Sequence, residues 1–136
     1  MKVLVSACLL GENCKYNGGN NRDEKVLAFL QDKEVIPVCP EVGLGVPRTP
    51  MEIVEGKLIN KDGVAVDGVV RAAIAQILEK LKEEPVDLAI LKSRSPTCGV
   101  KQVYDGTFSG TLIDGSGVLA QALQSAGIPT IDAEDI

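Results

Sequence analysis

The stretch "DGVVRAAIAQILEKLKEEPVDLAIL", residues 67–91, holds two periodicities side by side. Val69, Val70, Ala73, Ile74, Ile77, Leu78 and Leu81 recur every 3.6 residues, which predicts an amphipathic helix with an apolar stripe turned inward. Pro85 stops that helix. "VDLAIL" then runs apolar without a helical period and reads as a buried strand. A helix feeding into such a strand is half of a βαβ unit, whose parallel strands are covered on both faces.

The flanking sequence repeats the alternation. "KVLVSA" (2–7) reads as a short buried strand, and "NRDEKVLAFLQD" (21–32) as a helix. Asn21 is the expected cap of that helix, with Asp23 and Glu24 in the first turn and Val26, Leu27 and Leu30 inward. "EVIPVC" (34–39) is a second strand, and its Pro37 points to a sheet edge. "PEVGLGVPRTP" (40–50) is too rich in proline and glycine for a regular element. "MEIVEGKLINKDG" (51–63) predicts a hairpin turning at Glu55-Gly56. "VYDGTFSGTLI" (103–113) reads as a loop or short hairpin, "GSGVLAQALQSAG" (115–127) as a last helix stopped by Gly127, and "IPTI" (128–131) as a last strand. The expected fold is one α/β domain over 1–136. It has an open, mostly parallel sheet with helices on both faces, flavodoxin-like or Rossmann-like, and a small hairpin insertion.

Composition narrows the function. With 136 residues and a formal net charge of −5, neither a nucleic-acid backbone nor an anionic membrane surface is the expected partner. Small anionic ligands need only a local pocket and stay open. No apolar run approaches the span of about 18 residues that crosses a bilayer. "MKVLVSACLLGENC" continues into charged and glycine-rich sequence, so it reads as a strand and not a signal peptide, and the expected location is cytoplasmic.

The chain has no histidine. That removes imidazole zinc sites, Ser-His and Cys-His nucleophile pairs, and the commonest general base. Proton transfer must run through a carboxylate, Lys, Tyr, Cys or water. There are four cysteines, spaced C-x5-C-x24-C-x58-C, which is neither a zinc-ribbon nor a ferredoxin pattern. Two disulfides would suit a secreted chain; in the cytoplasm the thiols are reduced and point to metal or catalysis. Taken singly, each is most simply a small buried apolar group. Yet Cys8 and Cys39 close the first two strands, and Cys98 follows the third after a short loop. In an open parallel sheet those carboxyl ends share the edge where sites are built. Cys14 lies further out, in "LLGENCKYNGGNN". Three thiolates at one point need a cation to neutralise them, and all-sulfur ligation selects zinc or an iron–sulfur cluster. Gly43-Leu44-Gly45 is no dinucleotide fingerprint, since Pro47 stands where a helix should begin. Glu41, two residues after Cys39, is a solvated loop carboxylate or, beside the thiols, an acid or base. Ser95 caps a turn before Pro96 or bonds a ligand. Lys15, Tyr16 and Arg48 are surface groups or hold an anionic or planar ligand.

Three segments, "VSACLLGENCKYNG", "PVCPEVGLGVPR" and "LKSRSPTCG", together with "YDGTFSG", resemble the thiouracil desulfurase family over essentially the whole chain. The resemblance implies an α/β fold holding a [4Fe-4S] cluster through Cys8, Cys39 and Cys98, with one iron free of protein ligands. It places Cys14 outside the essential set. It also implies a proton-transfer role for Glu41 and a hydrogen-bonding role for Ser95. The implied activity removes sulfur from a thiolated pyrimidine, such as thiouracil or a thiouridine nucleotide, and releases sulfide without redox change. Soft thiocarbonyl sulfur suits an open iron acting as a Lewis acid. Many relatives carry Arg-Tyr-Asp-Gly where this chain has Lys15-Tyr16-Asn17-Gly18, and the loop after Cys39 is a little shorter than in some. Both differences bear on how the substrate's polar edge is held.

Two other readings compete. One is a non-catalytic binding or sensing module organised by a metal. The other is thiol chemistry without metal, with Cys8 and Cys14 as a redox pair.

Overall fold

The apolar run after Pro85 forms a strand whose four residues are all buried. The computed structural model, which describes residues 1–136, arranges the chain around it. In order, the elements are β1 (Lys2–Ser6), α1 (Glu24–Leu30), β2 (Glu34–Val38), β3 (Met51–Val54), β4 (Lys57–Asn60) and α2 (Asp67–Glu83). There follow β5 (Leu88–Leu91), β6 (Gln102–Tyr104), β7 (Leu112–Asp114), α3 (Val118–Ser125) and β8 (Thr130–Asp132). Four strands make one parallel sheet in the order β2-β1-β5-β8. Val3 pairs with Val35 on one side and Leu88 on the other, so apolar residues of three strands lie in register.

Alternation along the strands sends the core to both faces. Val3, Val5, Leu88 and Ile90 pack with Val26 and Leu30 of α1. Leu4, Ala89 and Leu91 pack with Val70, Ile74 and Leu81 of α2 and with Leu119 and Leu123 of α3. Each fully buried aliphatic side chain contributes about 1.5–3 kcal/mol relative to exposure. The α/β fold with an open parallel sheet and helices on both faces is therefore as expected. Pro37 sits on β2, an edge strand bonded only to β1, where its missing N–H costs no ladder bond.

Two details differ from the sequence reading. Asn21 does not cap α1; Asp23 does, its Oδ1 accepting from the amides of Lys25 (3.0 Å) and Val26 (3.2 Å). The helix begins at Glu24, which puts Asn21 a residue pair too early. Val69 does not face the core but is 48% exposed. It lies against the 3-10 turn at Val42–Leu44, where a Cβ on Gly43 would stand 3.1 Å from its Cγ1.

Two antiparallel hairpins flank the sheet. The first, β3-β4, turns at Glu55 (φ 50) and Gly56 (φ 80), the paired left-handed conformations of a tight hairpin turn. Asp67 fastens it to α2: Oδ1 accepts from the Leu58 amide at 3.0 Å while Oδ2 meets Arg71 Nε at 2.8 Å. The second, β6-β7, resolves "VYDGTFSGTLI" as a hairpin. Buried Glu52 on β3 joins the two, accepting from the amides of Gly106 (2.9 Å) and Phe108 (3.2 Å).

Candidate functional site

Because β1, β2 and β5 are parallel neighbours, their carboxyl ends open on one edge. The chain leaves β1 for β2 on one side and later enters β5 on the other, so this edge holds the topological switch point where open sheets bind ligands. Cys8 lies just beyond β1 in a 3-10 turn, Ala7–Leu10, closed by Gly11 at φ 96. Cys39 directly follows β2. Cys98 lies in the loop after β5 and is 5% exposed.

The Cys98 loop is held by the start of α3. Its carbonyls accept helix amides: Val118 N to Pro96 O at 3.0 Å, Leu119 N to Thr97 O at 2.8 Å, and Gly117 N to Gly99 O at 2.7 Å. The approach needs glycine at two places. A Cβ at Gly99 would stand 2.6 Å from Gln102 O, and one at Gly117 would stand 2.4 Å from the carbonyl carbon of Thr97. Neither backbone can yield without dismantling the loop.

A cavity of about 390 Å³ opens on this edge, and all four cysteines line it, as do Glu41 and Ser95. The structure thus brings together every site residue expected from the sequence. Lys15, Tyr16 and Arg48 line the same space. Cys14, expected further out, also reaches the cavity. Its loop folds back because Arg48 Nη2 donates to Cys14 O at 2.8 Å and the Arg48 amide donates to Tyr16 O at 2.7 Å. Long-range bonds of this kind leave no local pattern in sequence.

No three of the Cys, Asp and Glu side chains converge tightly enough to ring a single metal ion. All four thiols line the one cavity, and an all-sulfur donor set of this kind suits the soft iron of an iron–sulfur cluster.

Burial pushes the thiols up. Cys98 is pushed to about 12 mainly by desolvation, against hydrogen bonds from Ser6 and Thr97 that favour the thiolate. Cys14 is pushed to about 12 by desolvation and then by the neighbouring Cys39. Cys8 is raised by burial, with Asn21 hydrogen-bonding its sulfur in opposition. Asn21 lines the cavity, its backbone amide donating to Cys8 O at 2.9 Å. Coordination to a metal would reverse this balance by removing the thiol protons.

Beside the thiols, Glu41 is held at both oxygens. Oε1 is 3.3 Å from Arg48 Nη2, and Oε2 accepts from Thr97 Oγ1 at 2.8 Å. Ser95 Oγ accepts the amides of Thr97 (3.2 Å) and Cys98 (3.0 Å), so it caps the turn as well as lining the cavity. Thr97, fully buried between them, had no role in the sequence reading. Its only trace there was one more hydroxyl in Ser-Pro-Thr-Cys.

Known proteins share this fold. A solved structure of a [4Fe-4S]-dependent thiouracil desulfidase, TudS, superposes with a TM-score of 0.87 at 28% identity, covering 99% of this chain and 92% of that one. An uncharacterised Bacillus subtilis (strain 168) protein, YbbK, is 36% identical over 146 aligned positions, covering 98% of this chain and 97% of that protein. The family model for 2-thiouracil desulfurase matches residues 3–135. The chain belongs to the 2-thiouracil desulfurase family.

Proposed function

We propose that this protein removes sulfur from a thiolated pyrimidine, as free base, nucleoside or nucleotide, using a [4Fe-4S] cluster held by Cys8, Cys39 and Cys98. One observation carries the reading: thiols from three strand ends line a single cavity together with a carboxylate and a hydroxyl. Once bound, the cluster supplies a Lewis-acidic iron that is soft enough for a thiocarbonyl sulfur.

The remaining work falls to the chain. Glu41, fixed by Arg48 on one oxygen and Thr97 on the other, is placed to take a proton from water at the cavity wall. Ser95, at the head of the Cys98 turn, lines the cavity and would orient the ring's polar edge by turning its hydroxyl proton from Thr97 Oγ1 to the substrate. Lys15, which lines the cavity, would supply positive charge toward an anionic substituent, Arg48 being paired with Glu41. The net change is a C=S and water giving a C=O and hydrogen sulfide, with no electrons gained or lost. With no histidine in the chain, a carboxylate is the natural base.

Anaerobically purified protein tests this directly. Stoichiometric iron and labile sulfide, with sulfide release from 2-thiouracil or a thiouridine monophosphate, are expected. Cys98→Ser should lose the iron while Cys14→Ser keeps it. A fully loaded protein that leaves the whole substrate class untouched would overturn the reading.

A further inference from the structure

The hydrogen-bond directions around Thr97 are fixed by counting. A hydroxyl has one proton to give and two lone pairs. Ser95 Oγ already accepts two backbone amides, from Thr97 at 3.2 Å and Cys98 at 3.0 Å. Its remaining contact, 2.9 Å to Thr97 Oγ1, is therefore one in which Ser95 donates. Thr97 Oγ1, having accepted from Ser95, gives its own proton to the carboxylate oxygen Glu41 Oε2 at 2.8 Å in preference to Cys98 Sγ at 3.6 Å, a weaker acceptor. The result is a one-way chain from Ser95 through Thr97 to Glu41. Thr97 itself is 0% exposed.

We infer that Thr97 is a positioning residue for the desulfurase reaction, holding the Glu41 carboxylate and the Ser95 hydroxyl in one directed hydrogen-bond chain. This rests on the desulfurase reading above. Glu41 and Ser95 come from loops 54 positions apart, after different strands, and the Thr97 hydroxyl is the group that joins them. Its backbone is locked independently, since Thr97 O accepts the amides of both Leu119 (2.8 Å) and Ala120 (3.2 Å) at the start of α3. The Thr97 hydroxyl is thus a fixed point, and the longer Glu41 side chain takes its orientation from it. A methyl in place of the hydroxyl removes the partner of Glu41 Oε2 and the acceptor of the Ser95 proton, leaving Glu41 held by Arg48 alone.

Thr97→Val keeps the shape and removes the hydroxyl, whereas Thr97→Ser keeps the hydroxyl and removes a methyl. With iron content matched to wild type, Thr97→Val should lower kcat by about 10- to 100-fold, the range of a mispositioned proton-transfer group. KM should change much less, and Thr97→Ser should recover most of the loss. Equal losses in the two variants would mean that packing, not the hydroxyl, matters, and would overturn the inference. A second readout does not depend on turnover. In urea unfolding of wild type, Thr97→Val, Glu41→Gln and the double variant, the midpoint shifts should be non-additive. Additive shifts reject the coupling even if the protein proves to have another substrate. No sulfide release from loaded wild type, with non-additive unfolding, would instead reject the desulfurase reading and retain the Thr97–Glu41 link.

Discussion

Arg48 Nη2 lies 3.3 Å from Glu41 Oε1, and the two side chains are only 8% and 16% exposed. The same nitrogen donates to Cys14 O at 2.8 Å, while Nη1 donates to Gly45 O at 2.9 Å. One guanidinium thus ties the Cys14 loop, the segment after Cys39 and the candidate base into a single wall. Lysine has one point charge and cannot reproduce the fork.

Replacing Arg48 should therefore cost both stability and activity. Breaking a buried ion pair leaves an uncompensated charge, and partial access of the cavity to water reduces the usual penalty to about 2–3 kcal/mol. Arg48→Met should show that loss in urea unfolding. Arg48→Lys should fold better but still turn over at least roughly tenfold more slowly, because one ammonium cannot reach Glu41, Cys14 O and Gly45 O together as the guanidinium does. Wild-type behaviour in Arg48→Lys would mean that the charge alone suffices.

Glu41 separates an enzyme from a sensing module. Glu41→Gln preserves size and one acceptor, so the cluster and the fold should survive. Sulfide release should fall by about 100-fold or more, the usual scale for a lost acid–base group. A variant that desulfurates normally would move the proton transfer to another group.

Gly117 and Gly68 make opposite predictions for one substitution. At Gly117 an alanine Cβ would meet Thr97 backbone at 2.4–2.5 Å, so the α3 start must lift from the Cys98 loop. Gly117→Ala should cost about 1–3 kcal/mol, as overpacking does, and should weaken iron retention. Gly68, in the first turn of α2, has nothing within 4 Å of the place an alanine methyl would take. Gly68→Ala should raise stability by about 0.5–1 kcal/mol through the unfolded state. Thermal melts of both variants, with iron analysis, check the contrast.

The raised thiols set the pH dependence. A thiol held above its ordinary value of 9.0 keeps its proton through the neutral range, as Cys98 does at about 12. Loading a cluster must remove that proton, so affinity rises with pH. Anaerobic reconstitution should give more iron per chain at about pH 9 than at about pH 7, the pH range below and around the free-thiol value. The fold itself shows the reverse trend. Stability from the buried thiol is complete below 9.0 and is lost as pH climbs toward about 12, because the unfolded chain ionises first. A flat loading profile would argue that the thiols are already thiolates.

Much of this molecule was legible in its sequence, for reasons that differ from element to element. The helix over 67–83, the strand after Pro85, the turn at Glu55-Gly56 and the edge placement of Pro37 follow from local rules: periodicity, a missing N–H and left-handed backbone. Alternating strands and helices then required a parallel sheet, and a parallel sheet brings strand ends together, so Cys8, Cys39 and Cys98 on one edge followed from topology. The roles of Glu41 and Ser95 came from family resemblance, and the structure puts both on the same cavity. Tertiary folding alone decided the rest. Cys14 reaches the cavity because Arg48, 34 positions later, pulls its loop inward. Asn21 gives its backbone amide to Cys8 O and leaves the helix cap to Asp23. Thr97 meets a carboxylate 56 positions away. Backbone periodicity is written in neighbouring residues, whereas a side-chain hydrogen bond between distant loops exists only once the chain has closed.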